Sequence, residues 1–264
     1  VATGSGDDVL RNLAPNTNDE LFAGAGNDTL SGGSGMDTLT GGPGADRFIE
    51  TATNLNGDRI TDLSVEDAIE VTGIRFTGVR YNTTISLLEL DTAGNGSFST
   101  DITVATGLIG EFLATPSAAG ADAYTIVRLM PDTDIDGIPD YRDNAIYAPN
   151  ADQRDTDGDG YGNVVDADLN QDMMVDFFDL SMFDGAIGSS DANTDFNGDG
   201  SVDFFDLSIL DGLFGLPPGP SYVDGAGIGS PTLMLAETLA AESAAALMAT
   251  LNANAQVAEV DMVL

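Results

Sequence analysis

From Asp19 onward a nine-residue period governs the chain to residue 50 and leaves it few choices there. Asp19, Asp28, Asp37 and Asp46 recur at that interval, and Leu21, Leu30, Leu39 and Phe48 follow two places later. The text reads AGAGNDTLS, GGSGMDTLT and GGPGADRFI. Glycines permit tight turns with positive φ, and one apolar residue per unit can line only a narrow core. Each unit is expected to be a turn plus a very short strand, stacked on its neighbours. An earlier copy, GSGDDVL, sets Asp8 and Leu10 two residues out of phase, and APNTNDELF has lost its glycines.

The charge balance narrows the chemistry. The formal charge is −36, from 44 acidic residues against 8 Lys+Arg. Such a chain repels nucleic acid and anionic membrane, and repels itself unless cations are bound. With no Cys, disulfides, thiolate zinc sites and cysteine nucleophiles are excluded. With no His, H-E-x-x-H zinc sites and Ser-His-Asp triads are excluded as well. No apolar run is long enough to span a bilayer, and no basic, apolar N-terminal signal is present. A chain opening on Val1 rather than Met reads as a fragment or processed form, with further domains expected upstream.

From Asp132 the chain passes through four acidic loops of one design. The first places Asp132, Asp134, Asp136, Asp140 and Asp143, with Gly137 sixth; the second places Asp155, Asp157, Asp159, Asn163 and Asp166, with Gly160 sixth. The third has Asp168, Asn170, Asp172, Asp176 and Asp179, and the fourth Asp195, Asn197, Asp199, Asp203 and Asp206. Oxygens at positions 1, 3, 5, 9 and 12, with a backbone carbonyl at 7, make the EF-hand-type loop. The carbonyls would come from Ile138, Tyr161, Met174 and Ser201. Calcium takes about 6–8 oxygens, and a chain wound around one ion returns an oxygen at every second residue. The sixth position takes the sharp bend, so Met173, where the siblings carry Gly137, Gly160 and Gly200, marks the third loop as the weakest.

The last two loops share VDFFDLS, at 175–181 and again at 202–208. Behind each lies an apolar series at i, i+3 and i+7, Leu180, Phe183, Ile187 and Leu207, Leu210, Phe214, consistent with one helical face apiece. Gly188 and Gly215 would stop the helices. Each half offers too little core alone, and pairing would bury both faces. Phe177, Phe178, Phe204 and Phe205 fall at loop positions 10 and 11; packing of one Phe from each pair into the core is preferred over a docking surface. Residues 51–128 read as β-structure in DRITDL, AIEVTGI, ISLLELD, DITVATGL and AYTIVRL, each short and bounded by Gly, Asn or Asp. LDTAGNGSFSTD at 90–101 reads as a hairpin rather than a metal loop.

Five resemblances attach to these residues. The nonamers resemble the hemolysin-type, or RTX, repeat G-G-x-G-x-D-x-U-x. That resemblance implies a parallel β-roll holding calcium between turns, through Asp28, Asp37 and Asp46 and the turn carbonyls of Gly33, Gly35, Gly42 and Gly44. Asp8 and Asp19 would be weaker ligands in departing frames. GDRITDLSVEDAIEV looks like the segment capping the roll of serralysin-type secreted proteases, whose zinc domain lies upstream and requires histidine. The first two acidic loops resemble thrombospondin type 3 repeats without their cysteines. The last two resemble a type I dockerin, a calcium loop–helix pair whose family binds cohesins partly through loop positions 10 and 11. Asp261 followed by three apolar residues resembles the uncleaved C-terminal export signal of serralysin-type proteins.

The expected fold is therefore multi-domain and mainly β. An RTX β-roll would occupy 1–50 and a β-rich cap 51–128. Thrombospondin-like calcium loops would fill 129–167, and a dockerin-like, EF-hand-like loop–helix pair 168–216. A Pro/Gly linker, 217–231, would lead to a helical tail, 232–264. The expected function is a non-catalytic, calcium-binding region of an exported, extracellular bacterial protein that uses a type I secretion apparatus. The alternative is a dockerin-type module that attaches a polysaccharide-degrading or proteolytic enzyme to a cohesin-like or cell-surface protein. A glycosidase needs only paired carboxylates, but the well-patterned ones here are already assigned to metal loops.

Overall fold

The computed structural model describes residues 2–12, 16–118 and 122–224. The chain divides into two compact units, Val1–Pro139 and Asp140–Leu264. The division falls inside the first acidic loop rather than at 128/129.

In the first unit the nonamers form β1 (Val9–Arg11), β2 (Glu20–Phe22), β3 (Thr29–Ser31) and β4 (Thr38–Thr40), each with only its middle residue buried. Successive strands alternate between two sheets: β1 and β3 pair in parallel in one, β2 and β4 in the other. β5 (Arg47–Thr51) adds to β3. The single apolar residues of the units, Leu10, Leu21, Leu30, Leu39 and Phe48, thereby stack into one core.

The roll does not stop at residue 50. After a single helical turn, α1 (Ala52–Leu55), β6 (Arg59–Ile60) pairs in parallel with β4, and β7 (Ala68–Thr72) with β5. Ile60 and Ile69 carry the core row onward, both fully buried. Five further strands then turn the pairing antiparallel: β8 (Gly78–Asn82), β9 (Leu87–Asp91), β10 (Thr100–Thr103), β11 (Glu111–Pro116) and β12 (Tyr124–Met130). The finished sheets run β1-β3-β5-β7-β12-β11 and β2-β4-β6-β10-β9-β8. One core extends from Leu10 to Leu129, so the expected boundary between roll and cap is absent. The reason is edge chemistry: an open parallel strand presents unpaired N–H and C=O groups, and β12 covers β7 directly. Asp91 closes the β9–β10 hairpin by accepting the N–H groups of Asn95 at 3.2 Å and Gly96 at 2.6 Å.

The second unit contains α2 (Phe177–Ala186) and α3 (Phe204–Leu213), each opened by a capping box, Asp176 with Asp179 and Asp203 with Asp206. Gly188 and Gly215 follow the helices with φ of 81° and 82°. Residues beyond each helix bond to the other half: Gly188 N–H to Val202 O at 2.9 Å, and Gly215 N–H to Val175 O at 2.8 Å. Phe183 stacks on Phe196, with centroids 5.8 Å apart, in a core shared with Val175, Val202 and Leu210.

Three expectations need correction here. Phe177, Phe178, Phe204 and Phe205 are 74%, 71%, 74% and 66% exposed, so none of them is core. Helix geometry explains it: they stand in the first turn, opposite the stripe that holds Phe183 and Leu210. Ile187 and Phe214, expected on the buried faces, are exposed because they lie past the last helical turn. The Pro/Gly segment is no loose spacer where it is described. Gly219 N–H reaches Val165 O at 3.1 Å, Tyr222 N–H reaches Asp143 O at 2.8 Å, and the fully buried Ser221 donates its hydroxyl to Gly160 O at 2.6 Å. The tail expected to be helical, 232–264, lies outside the described residues. Among those described, no helix is long and apolar enough to cross a membrane.

Candidate metal centres

The roll aligns its aspartates in two columns. Asp28 Oδ1 accepts the N–H of Asp8 at 2.7 Å, and Asp46 Oδ1 that of Asp28 at 2.8 Å. In the other column Asp37 Oδ1 accepts the N–H of Asp19 at 2.8 Å. Asp8 and Asp19 thus stand in register despite their frames. Two residues outside the nonamers extend the columns: Asp58 Oδ1 accepts the Asp37 N–H and Asp67 Oδ1 the Asp46 N–H, both at 2.8 Å. The signal was present in GDRI and EDAI, which repeat the Asp-x-apolar pattern of ADRF, but α1 lengthens one unit and hides the period.

What distinguishes these carboxylates is the second oxygen. The Oδ2 atoms of Asp28, Asp37, Asp46 and Asp58 are buried with no hydrogen-bond partner, on side chains no more than 1% exposed. Burial pushes the Asp46 carboxyl up to about 6; the Asp28 N–H opposes this, and neighbouring carboxylates add to it. Burial likewise pushes Asp58 up to about 7, against the Asp37 N–H and with the charges of Asp37 and Glu50. Asp19 differs, since its Oδ2 accepts from Asn12 and Thr17. A buried, uncompensated anion is costly, and a hard cation with oxygen ligands is the chemistry that relieves it. The turns fit that use. A Cβ on Gly42 would stand 1.6 Å from Gly24 O, and one on Gly44 1.9 Å from Gly26 O, so successive turn carbonyls approach closely only because both residues are glycine, with φ of 107° and 138°. Gly33 and Gly35 stand likewise against Asn12 O and Thr17 O.

Residues 16–48 match the family described as RTX calcium-binding nonapeptide repeat, in four copies. This region of the chain is RTX-type and its ion is Ca²⁺. No curated protein matches the chain.

The acidic loops are built differently from the RTX columns. In every one, the first aspartate accepts backbone N–H groups from its own loop. Asp132 Oδ2 accepts from Gly137 at 3.0 Å, Asp155 Oδ2 from Gly160 at 3.0 Å, Asp168 Oδ2 from Met173 at 2.6 Å, and Asp195 Oδ2 from Gly200 at 2.9 Å. The N–H groups of Ile138, Tyr161 and Ser201 reach the fifth-position carboxylates of Asp136, Asp159 and Asp199. Carboxylate oxygens of Asp132, Asp134 and Asp136 converge within 4.8 Å, as do those of Asp155, Asp157 and Asp159, a spacing that could hold one metal ion. Burial raises Asp159, and raises Asp166 to about 7; backbone N–H groups oppose both, and the crowded aspartates reinforce them.

At the closing position Asp179 accepts N–H groups of Asn170 at 3.1 Å and Asp176 at 2.7 Å, and Asp206 those of Asn197 at 3.1 Å and Asp203 at 2.9 Å. Both are fully buried. Asp140 and Asp143 belong to the second unit, where Asp143 Oδ1 accepts from Ala145 N–H and Gln153 Nε2. Asn163 serves a further purpose: its Oδ1 accepts Thr156 N–H and its amide donates to Ala192 O, each at 2.8 Å.

A second left-handed position, unread in the sequence, occurs at the fourth residue of each loop. Gly158 and Gly198 occupy it in two loops, but Ile135 (φ 65°) and Gln171 (φ 60°) occupy it in the others. Met173 adopts the left-handed conformation its position demands, at φ 71°.

Proposed function

We propose that this chain is the non-catalytic, calcium-binding region of an exported protein, folding when it meets calcium outside the cell. The observation that carries this reading is the four buried Oδ2 atoms with no hydrogen-bond partner, two in each column. Without cations those charges oppose the roll; with them, metal-binding free energy becomes folding free energy. The four acidic loops supply further sites, with Asp, Asn and the carbonyls of Ile138, Tyr161, Met174 and Ser201 as ligands. Millimolar extracellular calcium suits loops with dissociation constants of roughly 10⁻⁴–10⁻³ M. Inside a cell the chain would stay open enough to thread a type I exporter, and folding on exit would oppose its return. The test is circular dichroism in chelator, where β-structure should be lost, recovered cooperatively with calcium and poorly with magnesium. Full β-structure in chelator would refute calcium-driven folding, and normal export of a chain lacking 232–264 would refute the assigned route.

A second reading, a dockerin-type attachment module, is favoured by the exposed aromatics. Phe177, Phe204 and Phe214 with Leu180, Leu207 and Leu210 line a groove of about 520 Å³. A cohesin-like partner would meet that face, and titration of a cohesin domain against wild type and a Phe177→Ala/Phe204→Ala variant decides it. Binding by wild type alone supports attachment, and binding by neither removes it.

A further inference from the structure

The third and fourth loops lean on each other, but the fourth is also bonded to the second, within the same compact unit. Arg154, Thr156 and Asn163 make that connection, and all belong to the second loop or its entry. Arg154, one residue before Asp155, donates from Nη2 to the carbonyl of Asp195 and holds Nη1 3.6 Å from Asp195 Oδ2. Thr156 Oγ1 and Asn163 Nδ2 both donate to Ala192 O, at 3.1 and 2.8 Å. The strut is braced inside the second loop. Arg154 O accepts the Asn163 N–H, and Asn163 Oδ1 accepts the Thr156 N–H, each at 2.8 Å.

Where the strut lands decides what it can do. Asp195 opens the fourth loop, and its oxygens accept the N–H groups of Gly198, Asp199 and Gly200. The guanidinium also lies against the bend of that loop, since a Cβ on Gly198 would stand 3.3 Å from Arg154 Nη2. Phe196, next in the chain, is buried and stacked on Phe183. Asp195 is thus anchored by the core and by the second loop together. The chain carries only 8 Lys+Arg against 44 acidic residues, and one of those few cations stands on this opening carboxylate. Its charge opposes a calcium ion there, so what Arg154 contributes is position, through a planar fork that reaches backbone and carboxylate at once.

We propose that Arg154 is a positioning residue that couples the second and fourth loops, so that calcium in one raises the affinity of the other. The coupling rests on the reading of the acidic loops as calcium sites. An ion in the second loop orders Asp155 to Asn163 and, with them, the donors to Ala192 and Asp195. The freedom lost in fixing the entry of the fourth loop is then already lost when its own ion arrives, and cooperativity follows.

Glycine-selective ¹⁵N spectra of the whole chain, titrated with calcium, read both loops at once, because Gly160 and Gly200 each donate to the opening aspartate of their own loop. Asp157→Asn/Asp159→Asn empties the second loop and leaves an oxygen for the N–H groups of Asp159 and Tyr161. The pair removes as much negative charge as one bound calcium would neutralise, so the field at the fourth loop is matched. Calcium binding at Gly200 should weaken about fivefold or more, the lower end of the usual range for coupled sites. In an Arg154→Met background the same pair should change it by less than about twofold. A second route runs through the third loop, where Asp168 N–H reaches Asp166 Oδ1 at 3.0 Å and Gln171 Nε2 reaches Asp157 Oδ2 at 3.2 Å. Coupling that survives Arg154→Met travels that way and overturns the role of Arg154. If both amides respond to calcium in wild type but emptying the second loop leaves Gly200 unchanged, the coupling is wrong and the calcium reading stands. If neither amide responds in wild type, both fall. Should Arg154→Met fail to fold in calcium, Arg154→Lys decides. Its ammonium keeps the charge without the fork, and undiminished coupling there overturns the assignment.

Discussion

The RTX roll and the loop–helix pair both place aspartates at regular intervals, yet they treat the spare oxygen in opposite ways. At Asp28, Asp37, Asp46 and Asp58 of the roll, one oxygen holds the turn below and the other is buried without a partner. In the third and fourth loops, both oxygens of the opening aspartate and both of the closing aspartate accept N–H groups from the same loop. The pair also has its own core around Phe183 and Phe196. On the proposed reading the roll needs a cation to fold, whereas the pair has a core and loop hydrogen bonds of its own before any ion binds.

Chelation should expose that difference most strongly. Hydrogen exchange on the whole chain in excess chelator should find the amides of β2 to β7 unprotected. The amides of α2 and α3 should retain slower exchange, by tenfold or more. Simultaneous loss of protection in both regions would erase the distinction.

Within the pair, position rather than residue type should set the energetic effect. Phe183→Ala removes a fully buried ring and should destabilise the pair by about 3–5 kcal/mol. Phe178→Ala and Phe205→Ala, truncating exposed rings, should stay within about 0.5 kcal/mol. Denaturant titration followed by helix signal in saturating calcium separates the two classes. Equal losses would return the exposed phenylalanines to the core.

Acid should affect the calcium-free roll in the direction opposite to ordinary acid denaturation. Asp46 and Asp58 have folded-state values of about 6 and about 7, above the ordinary 3.8. Between those limits the folded roll binds more protons than the unfolded chain, so its stability rises as pH falls. Residual β-signal in chelator should grow from pH 7 towards pH 4, and calcium binding near pH 6 should release protons, measurable by titration in buffers of different ionisation enthalpy. A calcium-free roll that weakens on acidification would mean that these carboxylates are solvated rather than buried.

Much of this was legible in the chain, and the gaps have physical causes. Glycine pairs and one apolar residue per nine imposed alternating short strands and a narrow core from Leu10 to Phe48. The exact duplication of VDFFDLS reported the mutual bonding of the two halves. Asp58 and Asp67 escaped because a register in space survived an insertion that broke the register in sequence. GVRYN and EFLATP, which form β8 and β11, had turn residues at their ends but lacked the β-branched runs that marked the other strands. The exposure of Phe177 and Phe204 was hidden because apolar character does not say which side of a helix's first turn faces the partner. Ser221 looked like linker because a Pro/Gly segment shows no sign of the carbonyl on which it docks.

The smallest effects should rank the loops among themselves. A side chain in the left-handed region costs about 1–2 kcal/mol, and the loops differ in how many such residues they carry. The second and fourth carry glycine at both left-handed positions, the first carries Ile135 at one, and the third carries Gln171 and Met173 at both. If the loops hold calcium as proposed, strain relieved in a loop should appear as calcium affinity. Met173→Gly is expected to tighten binding at the third loop by about tenfold. Ile135→Gly should do the same at the first, where β-branching makes positive φ especially unfavourable. Gly200→Ala, which introduces the backbone penalty into an unstrained loop with open space around the new Cβ, should weaken binding by a comparable factor, and Gly160→Ala by more, because its Cβ would also stand 2.5 Å from Val223 Cγ1. Calcium titration calorimetry on each of the four variants against wild type, starting from calcium-free protein, reads the effect as a change at one site. If both glycine substitutions leave affinity unchanged while both alanine substitutions lower it, the sixth and fourth positions do not share one backbone requirement, and the ranking of the loops fails.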